Sequence, residues 1–207
     1  MSNNDSCESV KLEYGGCLFM SKSRIEAFTD GVVAIIITIL VLDLKLPEQQ
    51  HTWTALWDMR MPFVVYVVSF IMIAEVWNFH HQMFAAVQET NAHVLWANMN
   101  LLFWMSLIPA VTAWYGTDIF ARPSGVLYAL IVLPFNISFI ILNHAVQHAN
   151  HLSVKQGISA DSEKRNGWSL VINVLVVIVT FFYPPFALLS MILNVIIWLI
   201  PLRRAHS

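Results

Sequence analysis

The chain has 207 residues, of which 57% are hydrophobic and 12% charged, with a mean hydropathy of +0.63; a soluble domain carries roughly a quarter charged residues. That composition excludes an ordinary soluble globular protein. With 11 basic against 13 acidic residues, a net charge of -2, it also excludes the basic surface that a nucleic-acid backbone requires.

The N-terminal tail, residues 1–22, is polar and mixed in charge. It lacks the basic start, apolar stretch and cleavage site of a signal peptide, so the first apolar segment is expected to act as its own insertion signal. Cys7 and Cys17 stand in this tail at a spacing that matches neither a zinc nor a redox motif.

A bilayer core about 30 Å thick is crossed by about 20 apolar helical residues. Six segments answer to that description: 25–46, 62–84, 92–115, 124–148, 168–183 and 186–202. The last two are nearly continuous, and Pro184 and Pro185 are expected to break them into a hairpin. Trp53, Trp57, Trp114, Tyr115, Trp168 and Trp198 lie near segment ends, where aromatic side chains anchor at the interface. The expected fold is therefore all-α and polytopic, a six-helix membrane domain over 23–204.

Basic residues set the expected orientation. Lys11, Lys22, Arg24, Lys155, Lys164, Arg165, Arg203 and Arg204 fall on one side of such a bundle, and Lys45, Arg60 and Arg122 on the other. The richer side faces the cytoplasm under the positive-inside rule, which puts both termini there.

With that topology, Thr29, Asp30, Glu75, Trp77, Asn78, His80, His81, Asn98, Asn100, Asn143, His144, Gln147, His148, Asn173 and Asn194 fall in one inner layer. Polar groups in a membrane need hydrogen-bond partners, and ionisable ones face a bundle interior or an aqueous path. An interhelical network is expected, with Asp30 and Glu75 its costliest members.

In the first segment Gly31, Ile35, Thr38, Leu42 and Lys45 recur at spacings of four, three, four and three, which puts them on one helical face. Periodicity alone leaves two readings open: a packing seam at Gly31, or a face turned to an aqueous path. His144, His148 and His151 share another face at metal-ligand spacing, a weak candidate because polar residues are common at a helix end. Asn136 heads an Asn-Ile-Ser sequon inside an apolar segment, where glycosylation has no access. No metal or cofactor is expected.

The stretch Arg24-Ile25-Glu26-Ala27-Phe28-Thr29-Asp30-Gly31 resembles the RxxxFSD motif of the transmembrane protein 175 family of potassium-permeable channels, with Thr29 in place of the motif's serine. The resemblance extends through Ala34-Ile35-Ile36-Ile37-Thr38 and Leu42-Asp43, the Trp77-Asn78-Phe79-His80-His81 cluster, Asn100-Leu101-Leu102, and Leu107-Ile108-Pro109 with Thr112. It implies that the first helix lines a central pore, with Ile35 and Leu42 as aliphatic constrictions, Thr38 as a selectivity residue, and Gly31 and Lys45 on the same face. It also implies a structural network of Arg24, Phe28, Thr29, Asp30, Trp77, His80, His81, Asn98 and Asn100. A homotetramer in a prokaryotic plasma membrane follows from the resemblance alone.

No TVGYG filter occurs, so selection by that carbonyl ring is excluded, and a hydrophobic pore gating by dewetting is the expected device. The competing reading is a proton- or cation-coupled transporter relaying through Asp30, Glu75 and the histidines. No inverted repeat or interrupted helix pair supports it. An intramembrane hydrolase using the histidines would need a plausibly placed serine or cysteine nucleophile or an HExxH motif, and the sequence offers neither, so no enzyme is expected.

Overall fold

The structure, a computed structural model, describes residues 21–48, 51–85, 87–88, 90–150 and 160–199, with the backbone alone at 160–166 and 197–199. Its helices are α1 (Lys22–Leu42), α2 (Trp53–Asp58), α3 (Arg60–Ala85), α4 (Ala92–Ser106), α5 (Ile108–Thr117), α6 (Arg122–Ala149), α7 (Ala160–Phe182) and α8 (Phe186–Leu199). There is no strand among the described residues. Among the described residues, four helical stretches are long and apolar enough to cross a membrane: α1, α3, α4 with α5, and α6. Gly167–Phe182 and Phe186–Ile196 are shorter apolar helices. The fold is that of a multi-pass, all-α membrane protein. Cys7, Cys17, Lys11, His151, Lys155, Arg203 and Arg204 lie outside the described residues, as do the side chains of Lys164, Arg165 and Trp198.

Three local features depart from the expected segments. The third is not one helix: it breaks at Leu107, whose N–H reaches back to the Trp104 carbonyl at 3.3 Å. Pro109, in the first turn of α5, has no N–H for the carbonyl four residues back, and its ring crowds that carbonyl. A short helix, α2, precedes the second long segment, capped by the Thr52 hydroxyl, which accepts from the Ala55 N–H at 3.2 Å. Finally, α1 ends at Leu42, so Lys45 lies beyond it and the helical spacing that grouped Lys45 with Gly31 does not reach it. The break at Pro184 and Pro185 falls where expected, between α7 and α8.

Lipid is as apolar as a leucine side chain, so close packing and hydrogen bonds hold such a bundle more than the hydrophobic effect does. Two glycines permit close approach. A Cβ on Gly116 would lie 3.1 Å from the Pro62 Cα, where α5 crosses α3, and one on Gly125 would lie 3.2 Å from the Pro184 Cβ. The core about them includes Val65, Ile73, Phe84, Leu101, Met105, Ile108 and Leu142, all at 0–1% exposure.

Toward the end of the bundle remote from the start of α1, Thr112 donates to Ser69 at 2.9 Å, and Ser69 shares a 2.9 Å hydrogen bond with the fully buried Tyr128. The Tyr115 ring stacks on Tyr128 with centroids 5.1 Å apart, and its hydroxyl donates to the Pro184 carbonyl at 3.0 Å. This knot ties α3, α5 and α6 to the α7–α8 turn. Ser69 and Tyr128 did not figure in the sequence reading, because hydroxyls and tyrosines carry little hydropathy signal; Thr112 figured there for resemblance, Pro184 as a helix break, and Tyr115 as an interfacial aromatic, whereas it is fully buried.

Candidate functional site

The two sides of α1 have opposite fates. Ile25, Thr29, Val33, Ile36 and Leu40 recur at three- and four-residue spacing and are 0–3% exposed against the rest of the chain. Gly31, Ile35, Thr38 and Leu42 are exposed, with Ile35 at 59% and Leu42 at 76%. A Cβ built on Gly31 would meet nothing within 4 Å, so this glycine is not a packing seam within the chain. The Thr38 hydroxyl donates to the Ile35 carbonyl one turn back at 2.8 Å. Its proton is thereby committed to the helix, and its oxygen lone pairs face outward as acceptors. Lys45 is exposed, past the end of the helix.

Behind that face the buried side of α1 is pinned by a hydrogen-bonded chain. The Asn98 amide N–H donates to the Thr29 hydroxyl at 2.9 Å, and Asn98 Oδ1 pairs with His80 Nε2 at 3.0 Å. An amide oxygen accepts only, so Nε2 carries the proton and His80 is the donor. The His80 ring stacks on Phe84 with centroids 4.3 Å apart. All three polar residues are 0–3% exposed. Threonine thus supplies the hydroxyl that the family motif takes from serine, with its extra methyl accommodated.

Asp30 makes a separate contact. The Trp77 indole N–H donates to its carboxylate at 2.8 Å, joining α1 to α3 on the exposed side. His81 stacks against Trp77 at 6.1 Å without a hydrogen bond to Asp30.

The expected single network therefore divides. His80 and Asn98 serve Thr29 and not Asp30. Asn100 donates to Ser138 on α6 at 2.7 Å, since two residues along α4 turn its side chain about 200° from that of Asn98. Arg24 does not supply the counter-charge: the one ion pair among the described residues is Arg60 with Asp58, at 3.9 Å. Six residues separate Arg24 from Asp30, about 9 Å along the axis and on another face. Phe28 is 47% exposed.

Glu75 stands apart as well. It faces a cavity between α3, α6, α7 and α8, some 140–200° around α3 from His80 and Trp77. Among the described residues no hydrogen bond links it to Asp30 or to a histidine. His144 and His148 line an open cleft of about 1130 Å³ between α4 and α6, with His93, Trp96 and Gln147. No three His, Cys, Asp or Glu side chains gather among the described residues.

This geometry has a counterpart in known proteins. The family model described as "Endosomal/lysosomal potassium channel TMEM175" matches residues 24–109, the span from Arg24 through the Leu107 break. A potassium channel of Chryseobacterium sp. (strain P1-3) is 40% identical over 188 residues, covering 91% of this chain and 97% of that protein. The chain belongs to the TMEM175 family. A crystal structure of a lysosomal potassium-selective channel TMEM175 homolog from Chamaesiphon minutus superposes with a TM-score of 0.72 at 25% identity, over 86% of this chain and 95% of that one. The mouse endosomal/lysosomal proton channel TMEM175 is 31% identical over 114 residues, which are 50% of this chain and 22% of the mouse protein.

Proposed function

We propose that this TMEM175-family protein is a passive potassium-permeable channel of a prokaryotic cell membrane, in which copies of α1, four by resemblance, surround one pore. The observation that carries the reading is the face of Gly31, Ile35, Thr38 and Leu42. Aliphatic side chains alone would suit lipid equally, but a glycine and an outward hydroxyl oxygen on the same uncovered face suit a closely packed copy or an aqueous path better. Both termini are cytoplasmic in this reading, and the six apolar stretches each cross once.

Ile35 forms the narrowest ring and excludes water when closed, and Leu42 forms a second ring nearer the outer mouth. Conduction then costs an ion part of its hydration shell, which favours potassium over the more tightly hydrated sodium. Thr38 lies between the two rings. Its oxygen, with the hydroxyl proton held by Ile35, replaces part of that shell. Phe28, exposed at the level of Asp30 and Trp77, packs against the neighbouring copy, and Arg24 meets the headgroups at the start of α1.

The transporter reading requires Asp30, Glu75 and the histidines to pass protons in sequence. Their separation into three unlinked contacts disfavours it. Purified protein in planar bilayers with potassium on one side and sodium on the other tests the channel reading. A current reversing on the potassium side is expected, and saturable flux coupled to a pH gradient would overturn it. A reversal potential that follows the proton gradient alone would instead align the chain with the relatives named proton channels.

A further inference from the structure

The cavity that holds Glu75 is walled by four helices and lies away from the α1 face. Its volume is about 40 Å³, and its lining includes Glu75 of α3, Asn136 of α6, and Asn173 and Asn194 of α7 and α8, among apolar neighbours such as Met72, Phe139 and Met191. One carboxylate oxygen of Glu75, Oε1, is buried with no hydrogen-bond partner among the described residues. A buried carboxylate oxygen without a partner is costly anywhere, and more so inside a membrane.

The asparagines do not supply the missing donor: none of their N–H groups reaches Glu75 Oε1, and at least one N–H of each is held by its own helix. Asn136 donates to the Val132 carbonyl at 2.9 Å, Asn173 to the Ser169 carbonyl at 2.7 Å, and Asn194 to the Ser190 carbonyl at 2.9 Å. Each partner is a main-chain oxygen that only accepts, so the amide orientations are fixed by chemistry: nitrogen to the helix, oxygen away from it. Asn194 Oδ1 also accepts from the Ser169 hydroxyl at 3.0 Å. Three carboxamides on three helices, each tied back by an N–H to its own preceding turn, thus bring amide oxygens to the cavity of an unpartnered carboxylate oxygen, which the second N–H groups of Asn136 and Asn194 do not reach.

Such a lining is complementary to a positive charge with oxygen affinity. One formal negative charge with neutral amide oxygens balances a single positive charge, and a divalent ion would leave an excess charge buried in a low dielectric. We propose that this cavity is a binding site for one alkali-metal cation per subunit, held by the Glu75 carboxylate and the Asn136 and Asn173 carboxamide oxygens, outside the conduction pathway. The cation ties α3 to α6 and α7 and stabilises the helices farthest from the pore.

A ligand that binds only the folded state raises its melting temperature with concentration. The full-length protein, purified in detergent, is melted in lithium, sodium, potassium or choline chloride at constant ionic strength. At least one alkali cation is expected to raise the melting temperature above that in choline, saturably. Glu75→Gln, which keeps the shape and removes the charge, is expected to abolish the difference while still folding. Asn136→Leu is expected to shift the half-saturating concentration upward by about tenfold, the loss of one oxygen ligand to a charge.

The proposal is overturned if no alkali cation exceeds choline, or if Glu75→Gln keeps the full response, which would put the ion elsewhere, as in the pore. It is equally overturned if Glu75→Gln melts higher than wild type whatever the cation, the result expected of a neutral carboxyl that donates its own proton to an asparagine oxygen. An unshifted response in Asn136→Leu overturns the assigned ligands. Permeation does not enter the measurement, so the pore reading stands or falls separately.

Discussion

The two faces of α1 differ by only 100–200° of rotation, yet they solve different problems. The buried face is a closed account in this chain: Ile25, Val33, Ile36 and Leu40 meet apolar partners, and the hydroxyl of Thr29 meets Asn98. The opposite face is left open, with Ile35 and Leu42 more exposed than most large apolar residues of the molecule and no side chain opposite Gly31. The contrast teaches that a helix can be rigidly anchored by one side so that the other holds a fixed shape. In the proposed pore, a ring of isoleucines would gate sharply only if each copy were held in place, and Thr29 lies within two turns of Ile35 on the same helix.

Changing each face in turn breaks this division in distinguishable ways. The largest effect is expected from Ile35→Asn, which hydrates the constriction without touching the anchor. Each 1.4 kcal/mol taken from the barrier raises flux about tenfold. Single-channel recording should show increased conductance with an unchanged melting temperature, and conductance at the wild-type level would remove Ile35 from the constriction.

Asn98→Ala attacks the other face. It strands the Thr29 hydroxyl and the His80 N–H together, at about 1–3 kcal/mol for a buried group left unpaired. Denaturant or thermal melts in detergent should show that loss, with open-channel conductance close to wild type in the protein that remains folded. A selective change in conductance at unaltered stability would mean that the two faces are not separate.

A smaller stability change is expected from Asp30→Ala, because the carboxylate is exposed and its hydrogen bond among the described residues is the one from Trp77. A double-mutant cycle with Trp77→Phe should give a coupling of about 0.5–1 kcal/mol, in the range of exposed charged pairs. Lower yield of assembled protein should accompany it while the potassium preference persists. If Asp30→Ala melts like wild type and loses that preference, the carboxylate belongs to the ion path.

The smallest effect is expected at Thr38. Thr38→Val keeps the β-branched shape and removes the outward-facing oxygen, so the potassium-to-sodium permeability ratio should fall by about threefold, roughly 0.6 kcal/mol. Bi-ionic reversal potentials measure it. An unchanged ratio would leave the aliphatic rings as the whole basis of selection.

Much of this was legible in the chain because hydropathy and helical spacing are local quantities. The apolar segments, the break at Pro184 and Pro185, and the common face of Gly31, Ile35, Thr38 and Leu42 all follow from residues within a few turns of each other. The proline at 109 was visible too, but a proline in the first turn of a new helix and one inside a continuing helix look alike in sequence, and α6 runs straight through Pro134. Depth along the bundle was also readable: Thr29, Trp77, His80 and Asn98 do share one layer.

Which of those polar side chains meet is another matter. Depth orders residues along the membrane normal, whereas contact depends on rotation about each helix axis, and an error of one residue turns a side chain by about 100°. Sequence by itself determined an all-α membrane protein of the TMEM175 type and the composition of its α1 face, since burial in lipid and helical period constrain every residue in turn. Only the tertiary structure decided that Asn98 and His80 serve Thr29, that Trp77 donates to Asp30, and that Glu75 faces a cavity walled by helices up to about 120 residues later in the chain. Those pairings arise where several helices approach at once, and no periodicity within any one of them encodes the angle at which it meets the others.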